Sequence, residues 1–136
     1  MAVLETTFII DLMKEVKARR PGNATQELAD LLNRGDSPCT TLFTVAELYV
    51  GVEKATQPER ERHAVEQALS PLPILRFEES TARVFGAVVG QLEKQGLTIS
   101  DMDALIGSVA LERDELLVTR NPRHFQRIPG LRAETY

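Results

Sequence analysis

Residues 3–12 read VLETTFIIDL and predict a strand followed directly by a helix. The apolar lead-in, AVLE, is typical of a short buried strand, and FIIDLMKEVK has the spacing of a helix with one apolar face. Glu5 stands where the predicted strand ends. A carboxylate in a buried position needs a partner, because burying an unpaired charge costs free energy. Glu5 is therefore the first candidate for a functional residue.

The same alternation continues to the end of the 136-residue chain. The predicted strands are 2–5, 38–43, 73–77, 115–119 and 131–135. The predicted helices are 8–17, 23–35 (Asn23 as N-cap and Gly35 past the end), 44–55, 58–69, 79–96 and 100–113. Alternating strands and helices predict an α/β fold with a mostly parallel central sheet and helices on both faces. No repeat or linker interrupts the pattern, so we expect a single domain over residues 1–136.

Composition argues against several classes of protein, among them disulfide-bonded and membrane-spanning proteins. Cys39 is the only cysteine, so no internal disulfide can form. No apolar run approaches the roughly 20 residues of a membrane span, and no basic segment precedes an apolar one at the N-terminus. We therefore expect a cytoplasmic protein. A net charge of −4 argues against a general nucleic-acid binder, although residues 14–20 and 120–127 are two basic islands.

Polar side chains cluster near the predicted strand ends. They are Glu5, Glu47, Asp101, Asp103, Thr119 and Asn121. In open α/β sheets the ligand crevice lies outside the carboxyl ends of the strands. Carboxylates that converge there repel one another unless a cation joins them. Oxygen ligands without a His or Cys cluster favour Mg²⁺ or Mn²⁺ over zinc.

Each candidate has a simpler interpretation. Glu47 ends TVAE and Asp103 ends SDMD, and both spacings are typical of a capping box. Asp101 in the first turn of a helix complements the helix dipole. Asp11 is expected on the exposed side of its helix, and His124 in a structural or surface role. The spacing alone leaves these interpretations open.

Four motifs together resemble a known family. They are VLETTFIIDL, TLFTVAELYVGV, ISDMDALIGSVAL and LLVTRNPRHFQRIPGL, in this order and over essentially the whole chain. This arrangement is similar to a PIN domain, and closely to the VapC toxins of bacterial and archaeal toxin–antitoxin pairs. The resemblance implies a three-layer sandwich with the activity of a metal-dependent ribonuclease. It also implies a homodimer that a small antitoxin holds inactive.

The resemblance carries the family's site over to particular residues. The acidic and amide positions fall on Glu5, Glu47, Asp101, Asp103 and Asn121, with the hydroxyls of Thr6 and Thr119 beside them. The TT pair after Glu5 is expected to supply hydroxyls that orient this carboxylate. The resemblance implies that the four carboxylates hold Mg²⁺ (or Mn²⁺), and that Glu5, Glu47, Asp103 and Asn121 take part in RNA hydrolysis. Arg120 and Arg123 are candidates for contacts with the RNA backbone.

Departures from the family pattern support an alternative. Glu5 replaces the usual Asp, which moves the carboxylate by on the order of 1 Å, more than a catalytic arrangement tolerates. Gly107 replaces an alanine, and His124 stands where many members have a further Asp. The alternative is a catalytically weakened or inactive PIN-fold protein that still pairs with an antitoxin. A receiver-like phosphoacceptor domain fits less well, because it needs a strand-end Asp and a late Lys that are not seen.

Overall fold

The computed structural model describes residues 1–136 and contains five strands and seven helices. The strands are β1 (Ala2–Leu4), β2 (Pro38–Thr41), β3 (Ile74–Leu75), β4 (Leu116–Val118) and β5 (Ala133–Glu134). The helices are α1 (Thr6–Ala18), α2 (Asn23–Asn33), α3 (Leu42–Lys54), α4 (Pro58–Leu69), α5 (Glu79–Lys94), α6 (Asp101–Glu112) and α7 (Pro122–Phe125). No helix is both long and apolar enough to span a bilayer.

The five strands form one sheet in the order β3-β2-β1-β4-β5, and every neighbouring pair is parallel. β1 lies in the centre, where Val3 pairs with Cys39 on one side and with Leu117 on the other. The α/β prediction with a parallel sheet is therefore confirmed. Each predicted strand exists, but each is shorter than predicted.

β1 divides the core into two parts, because successive side chains of a strand point to opposite faces. Ala2 and Leu4 belong to the core beneath α1 to α4, and Val3 belongs to the core beneath α5, α6 and α7. All three are fully buried. The predicted three layers, with helices on both faces of the sheet, follow from this alternation.

Two helices begin earlier than predicted, because residues of the preceding strand ends cap them. α1 begins at Thr6 rather than Phe8, since the Glu5 carboxylate accepts a hydrogen bond from the Thr7 N–H at 3.1 Å. α3 begins at Leu42 rather than Thr44, since the Thr41 hydroxyl accepts from the Thr44 N–H at 3.1 Å. Glu5, directly after β1, and Thr41, at the end of β2, are therefore the N-cap residues of α1 and α3.

The cap of α2 comes from another helix. Asn23 was predicted as N-cap, but Gly22 occupies that position and offers no side chain. The Glu15 carboxylate of α1 instead accepts from the backbone N–H groups of Gly22, Ala24 and Thr25 at 2.6, 3.0 and 2.9 Å. These bonds lower the pKa of Glu15 although its burial acts in the other direction. Glu15 thereby fixes α2 against α1.

A pair of carboxylates joins α2 to β5. Burial and the nearby Glu134 carboxylate raise the pKa of Glu27 to about 7, while the Arg34 guanidinium holds the pKa of Glu134 below its usual range. The Glu27 Oε1 atom is buried and has no hydrogen-bond donor while both carboxylates are ionised. The raised pKa of Glu27 favours a proton shared with the neighbouring Glu134 carboxylate.

α6 is the most buried helix, as its apolar residues predicted. Gly107 lies where this helix meets the segment after α7. A Cβ atom added at Gly107 would stand 2.4 Å from the Ile128 side chain. Glycine at this position therefore lets α6 and Ile128 approach closely.

Candidate active site

The carboxyl ends of β1, β2 and β4 lie side by side, because β1 pairs with both neighbours in parallel. Glu5 follows β1, Thr41 ends β2 and Thr119 follows β4. All three side chains are buried. The sheet therefore places polar groups in one crevice, at the edge where α/β proteins bind their ligands.

Glu5 lies at the centre of this crevice and is only 4% exposed. Its Oε2 atom accepts hydrogen bonds from the Thr7 hydroxyl at 2.6 Å, from the Thr119 hydroxyl at 2.8 Å and from the Thr7 N–H. Burial raises the pKa of Glu5, the bonds from Thr7 and Thr119 lower it, and the Asp103 charge raises it further. The net direction is upward, and Glu5 takes part in none of the ion pairs of the structure.

Glu47 projects from α3 towards the start of α1. Its Oε1 atom accepts from the Thr6 hydroxyl at 2.5 Å, and the Thr44 hydroxyl lies 3.2 Å from that of Thr6. The capping interpretation of Glu47 is wrong, because Thr41, six residues earlier, is the N-cap of α3. Thr6 therefore supports Glu47, while Thr7 takes the place beside Glu5.

Asp103 lies in the first turn of α6 and combines two roles. Its N–H donates to the hydroxyl of Ser100, the N-cap, at 3.1 Å, which is one half of a capping box. The Asp103 carboxylate does not complete the box, because its Oδ2 atom lies 3.1 Å from Nδ1 of His124. Asp101, at the first position of α6, is exposed.

The segment after β4 brings further polar groups to the crevice. The Asn121 N–H donates to the Thr119 hydroxyl at 3.0 Å, and the Asn121 side chain caps nothing and is exposed. Arg123 is exposed as well. Arg120 forms an ion pair with Asp11 at 2.7 Å. The expectation that Asp11 faces solvent is wrong, since its side chain is only 18% exposed.

The candidate carboxylates do not form a complete metal-binding cluster, although the charge of Asp103 acts on Glu5. No group of three or more His, Cys, Asp or Glu side chains is close enough to hold a metal ion. Each carboxylate instead has another partner: Thr7 and Thr119 for Glu5, Thr6 for Glu47, and His124 for Asp103.

The donor chemistry nevertheless fits a divalent cation. Glu5 is a buried carboxylate that faces the negative charge of Asp103 and has no cationic partner. A cation between the two would remove the repulsion, and hard oxygen donors are those that Mg²⁺ and Mn²⁺ prefer. Glu5 and Asp103 therefore stay the predicted ligands, and Glu47 is connected to the first turn of α1 through the Thr6 hydroxyl.

Two contributors were missed in the sequence: His124 and Tyr136. The TT pair after Glu5 was expected to supply hydroxyls that orient this carboxylate, and Thr7 does so, whereas the Thr6 hydroxyl donates to Glu47. His124 was expected only in a structural or surface role. Tyr136 gave no local signal, because its partner Asp11 is distant in sequence.

Comparison with known proteins assigns the family. The PIN domain model matches residues 2–131, and the chain therefore belongs to the PIN domain family. The chain is 35% identical over 134 residues to Ribonuclease VapC2 of Haemophilus influenzae, covering 98% of this chain and 96% of that protein. It is 33% identical over 105 residues to the tRNA(fMet)-specific endonuclease VapC of Shigella flexneri. That match covers 77% of this chain and 79% of the Shigella protein.

The fold is also similar to that of one chain in a solved VapBC crystal structure. VapBC2 from Rickettsia felis, in a crystal structure bound to a DNA fragment from their promoter, matches with a TM-score of 0.88. The sequence identity is 27%, and the match covers 99% of this chain and 98% of that chain. The resemblance to the PIN domain and to VapC proteins is confirmed, and so is the predicted three-layer fold.

Proposed function

We propose that residues 1–136 form a single PIN-like domain that acts as a metal-dependent endoribonuclease toxin, which hydrolyses RNA phosphodiester bonds and is neutralised by a cognate antitoxin. The observation that carries the proposal is the buried Glu5 carboxylate, which faces Asp103 and lacks a cationic partner. Membership of the PIN family and the similarity to proteins named ribonuclease VapC support it. The proposed cofactor is Mg²⁺ or Mn²⁺.

The proposed roles follow from the contacts of each side chain. Glu5 and Asp103 hold the cation, and Asp101 and Glu47 assist with the same ion or a second. When bound, the cation lowers the pKa of a water molecule and stabilises negative charge on the phosphoryl oxygens. Glu47 orients the attacking water.

Hydroxyl groups fix the direction of the two glutamates. The Thr7 and Thr119 hydroxyls donate to Glu5, and Thr6 donates to Glu47. Each hydroxyl lies at the end of a strand or in the first turn of α1, where the backbone is held by the sheet. The carboxylates are therefore oriented before a cation or substrate arrives, which is what a catalytic site requires.

The RNA is held by groups after β4. Arg120 and Arg123 are exposed enough to meet backbone phosphates, which are the usual partners of arginine in nucleic-acid complexes. Asn121 positions the substrate without adding charge. With a cation held there, the acidic site would accept a phosphodiester, because the charge of the ion would be the largest local charge.

Two exposed apolar surfaces suit the proposed protein partners. A groove of about 570 Å³ between α1, α2 and α4 is lined by apolar side chains and rimmed by Lys17, Arg60 and His63. It suits an amphipathic helix of the antitoxin with acidic flanks. The outer face of α3 exposes Leu42, Tyr49 and Val50, and suits the self-complementary interface of a homodimer. We propose that both complexes form in the cytoplasm.

One observation favours the catalytically inactive alternative. The Glu5 carboxylate is the N-cap of α1 and already receives three hydrogen bonds, so a purely structural role accounts for its burial. In that case the fold and the antitoxin interface persist without catalysis. The two functions differ in whether the purified protein cleaves RNA.

Cleavage of total RNA in Mn²⁺, in Mg²⁺ and in a chelator tests the proposal. Glu5→Ala and Asp103→Asn should abolish cleavage, while Glu93→Gln, an exposed change on α5, serves as the charge-matched control. Co-purification from the native host tests the antitoxin, which should appear as a small, tightly bound protein. Cleavage that is unchanged in a chelator contradicts the proposed mechanism, and a lack of cleavage by the wild type favours the inactive alternative.

A further inference from the structure

Arg120 is attached to α1 at two points. Its backbone N–H donates to the Thr7 hydroxyl at 3.0 Å, and its guanidinium donates to Oδ1 of Asp11 at 2.7 Å. The Thr7 hydroxyl in turn donates to Glu5. The backbone of Arg120 is thus two hydrogen bonds away from the carboxylate at the centre of the site.

Asp11 is itself held in place from the far edge of the sheet. Its Oδ2 atom accepts from the Tyr136 hydroxyl at 2.6 Å, while Oδ1 faces Arg120. The Tyr136 ring packs edge-on against Phe8 with centroids 4.9 Å apart. Burial and the Asp11 carboxylate both raise the pKa of Tyr136, so its hydroxyl keeps its proton and acts as a donor. Both oxygens of Asp11 are therefore occupied.

The Arg120–Asp11 ion pair lies next to the carboxylates of the candidate site. Glu5 and Asp103 are carboxyl groups without a guanidinium or ammonium partner. The Arg120 backbone is connected to Glu5 through the Thr7 hydroxyl, so its long side chain starts beside these carboxylates. A guanidinium in that position would pair with them and compete with a divalent cation.

We propose that Asp11, anchored by Tyr136, is a positioning residue that holds the Arg120 guanidinium outside the carboxylate crevice, where it faces RNA and leaves Glu5 and Asp103 available to the cation. The inference rests on the proposed metal-dependent function and adds a reason for the Tyr136–Asp11–Arg120 connection. Asp11 touches neither the cation nor the substrate.

A double-mutant cycle on Mn²⁺ affinity, measured by titration calorimetry on the full chain, tests this role. Asp11→Asn removes the charge that holds the guanidinium, and we expect Mn²⁺ binding to weaken about fivefold, the scale of a partly exposed ion pair. In an Arg120→Gln background the same change should weaken binding less than about twofold, because no guanidinium is left to compete. Glu93→Gln controls for the loss of one negative charge at a distance.

Tyr136→Phe provides a milder second variant if Asp11→Asn folds poorly. It keeps the ring against Phe8 and removes only the hydroxyl, so it should weaken Mn²⁺ binding in the same direction by a smaller factor, again only when Arg120 is present. Equal losses in both backgrounds would overturn the positioning role while leaving the metal site intact. Failure of the wild type to bind Mn²⁺ would instead overturn the proposed function, and the positioning role with it.

Discussion

Replacement of Glu5 by aspartate shortens the side chain by one methylene. The carboxylate then withdraws by on the order of 1 Å. Its bonds from the Thr7 and Thr119 hydroxyls, now 2.6 and 2.8 Å long, would stretch beyond the range of an O–H···O hydrogen bond. The cap of α1 is kept, since aspartate is a good N-cap residue.

The expected result is a protein that folds normally and cleaves RNA more slowly. A misplacement of about 1 Å costs up to 10²-fold in rate, so we expect kcat/KM to fall by roughly 10- to 100-fold. We expect this loss because the Thr7 and Thr119 hydroxyls lie within hydrogen-bond distance of a glutamate carboxylate, whereas the shorter aspartate would not reach them.

Cleavage of end-labelled RNA in Mn²⁺ measures the effect, with thermal melting of the same samples as the check on folding. Thr119→Ser keeps the hydroxyl beside Glu5 and is the matched control, which should retain most of the activity. If Glu5→Asp cleaves as fast as the wild type or faster, the site is not adapted to glutamate, and the reasoning from these hydroxyls is wrong.

Three stability predictions follow from the packing. Glu15→Ala should lower the free energy of unfolding by about 1–2 kcal/mol in urea denaturation, because α2 loses its cap; an unchanged midpoint would contradict that role. Gly107→Ala should lower it by about 1 kcal/mol despite better helix propensity, because the methyl group meets Ile128; a stabilised variant would show that Ile128 moves aside. The raised pKa of Glu27 means that the folded state binds a proton more tightly, so its ionisation destabilises the fold as pH rises through about 7. Glu27→Gln should therefore stabilise by about 1 kcal/mol at pH 8, after allowance for solvent screening, and not at pH 4, and equal effects at both pH values would refute the shared proton.

The architecture could be predicted from the sequence because local signals agreed along the chain. Alternating strand and helix patterns identified all five strands and the six longer helices, and α4 begins at Pro58 and ends at Leu69 as predicted. Ends were less accurate where a side chain had two possible uses. Glu5 directly follows β1 and Thr41 ends β2, and each caps the following helix. The spacing of these residues does not show where the strand stops.

Contacts between distant segments could not be predicted. Glu15 caps α2 from another helix, so the expected local cap Asn23 is not used. His124 bonds to Asp103 from a different element, and this contact decides how the Asp103 carboxylate turns. Tyr136 and Asp11 meet only because β5 lies at the edge of the sheet next to β4. Residue types identified the candidate residues, and the topology of the sheet determined which side chains they contact.

The central claim is that this chain hydrolyses RNA through a cation held by Glu5 and Asp103. The most direct measurement compares the Mn²⁺-dependent cleavage rate of wild-type protein with that of Asp103→Asn, both purified side by side so that a contaminating nuclease would act equally in the two samples. We predict cleavage by the wild type that stops when the cation is chelated, and a loss of at least about 10²-fold in a folded Asp103→Asn variant. Equal cleavage by the two proteins would contradict the account and return Asp103 to its place as a helix-capping residue.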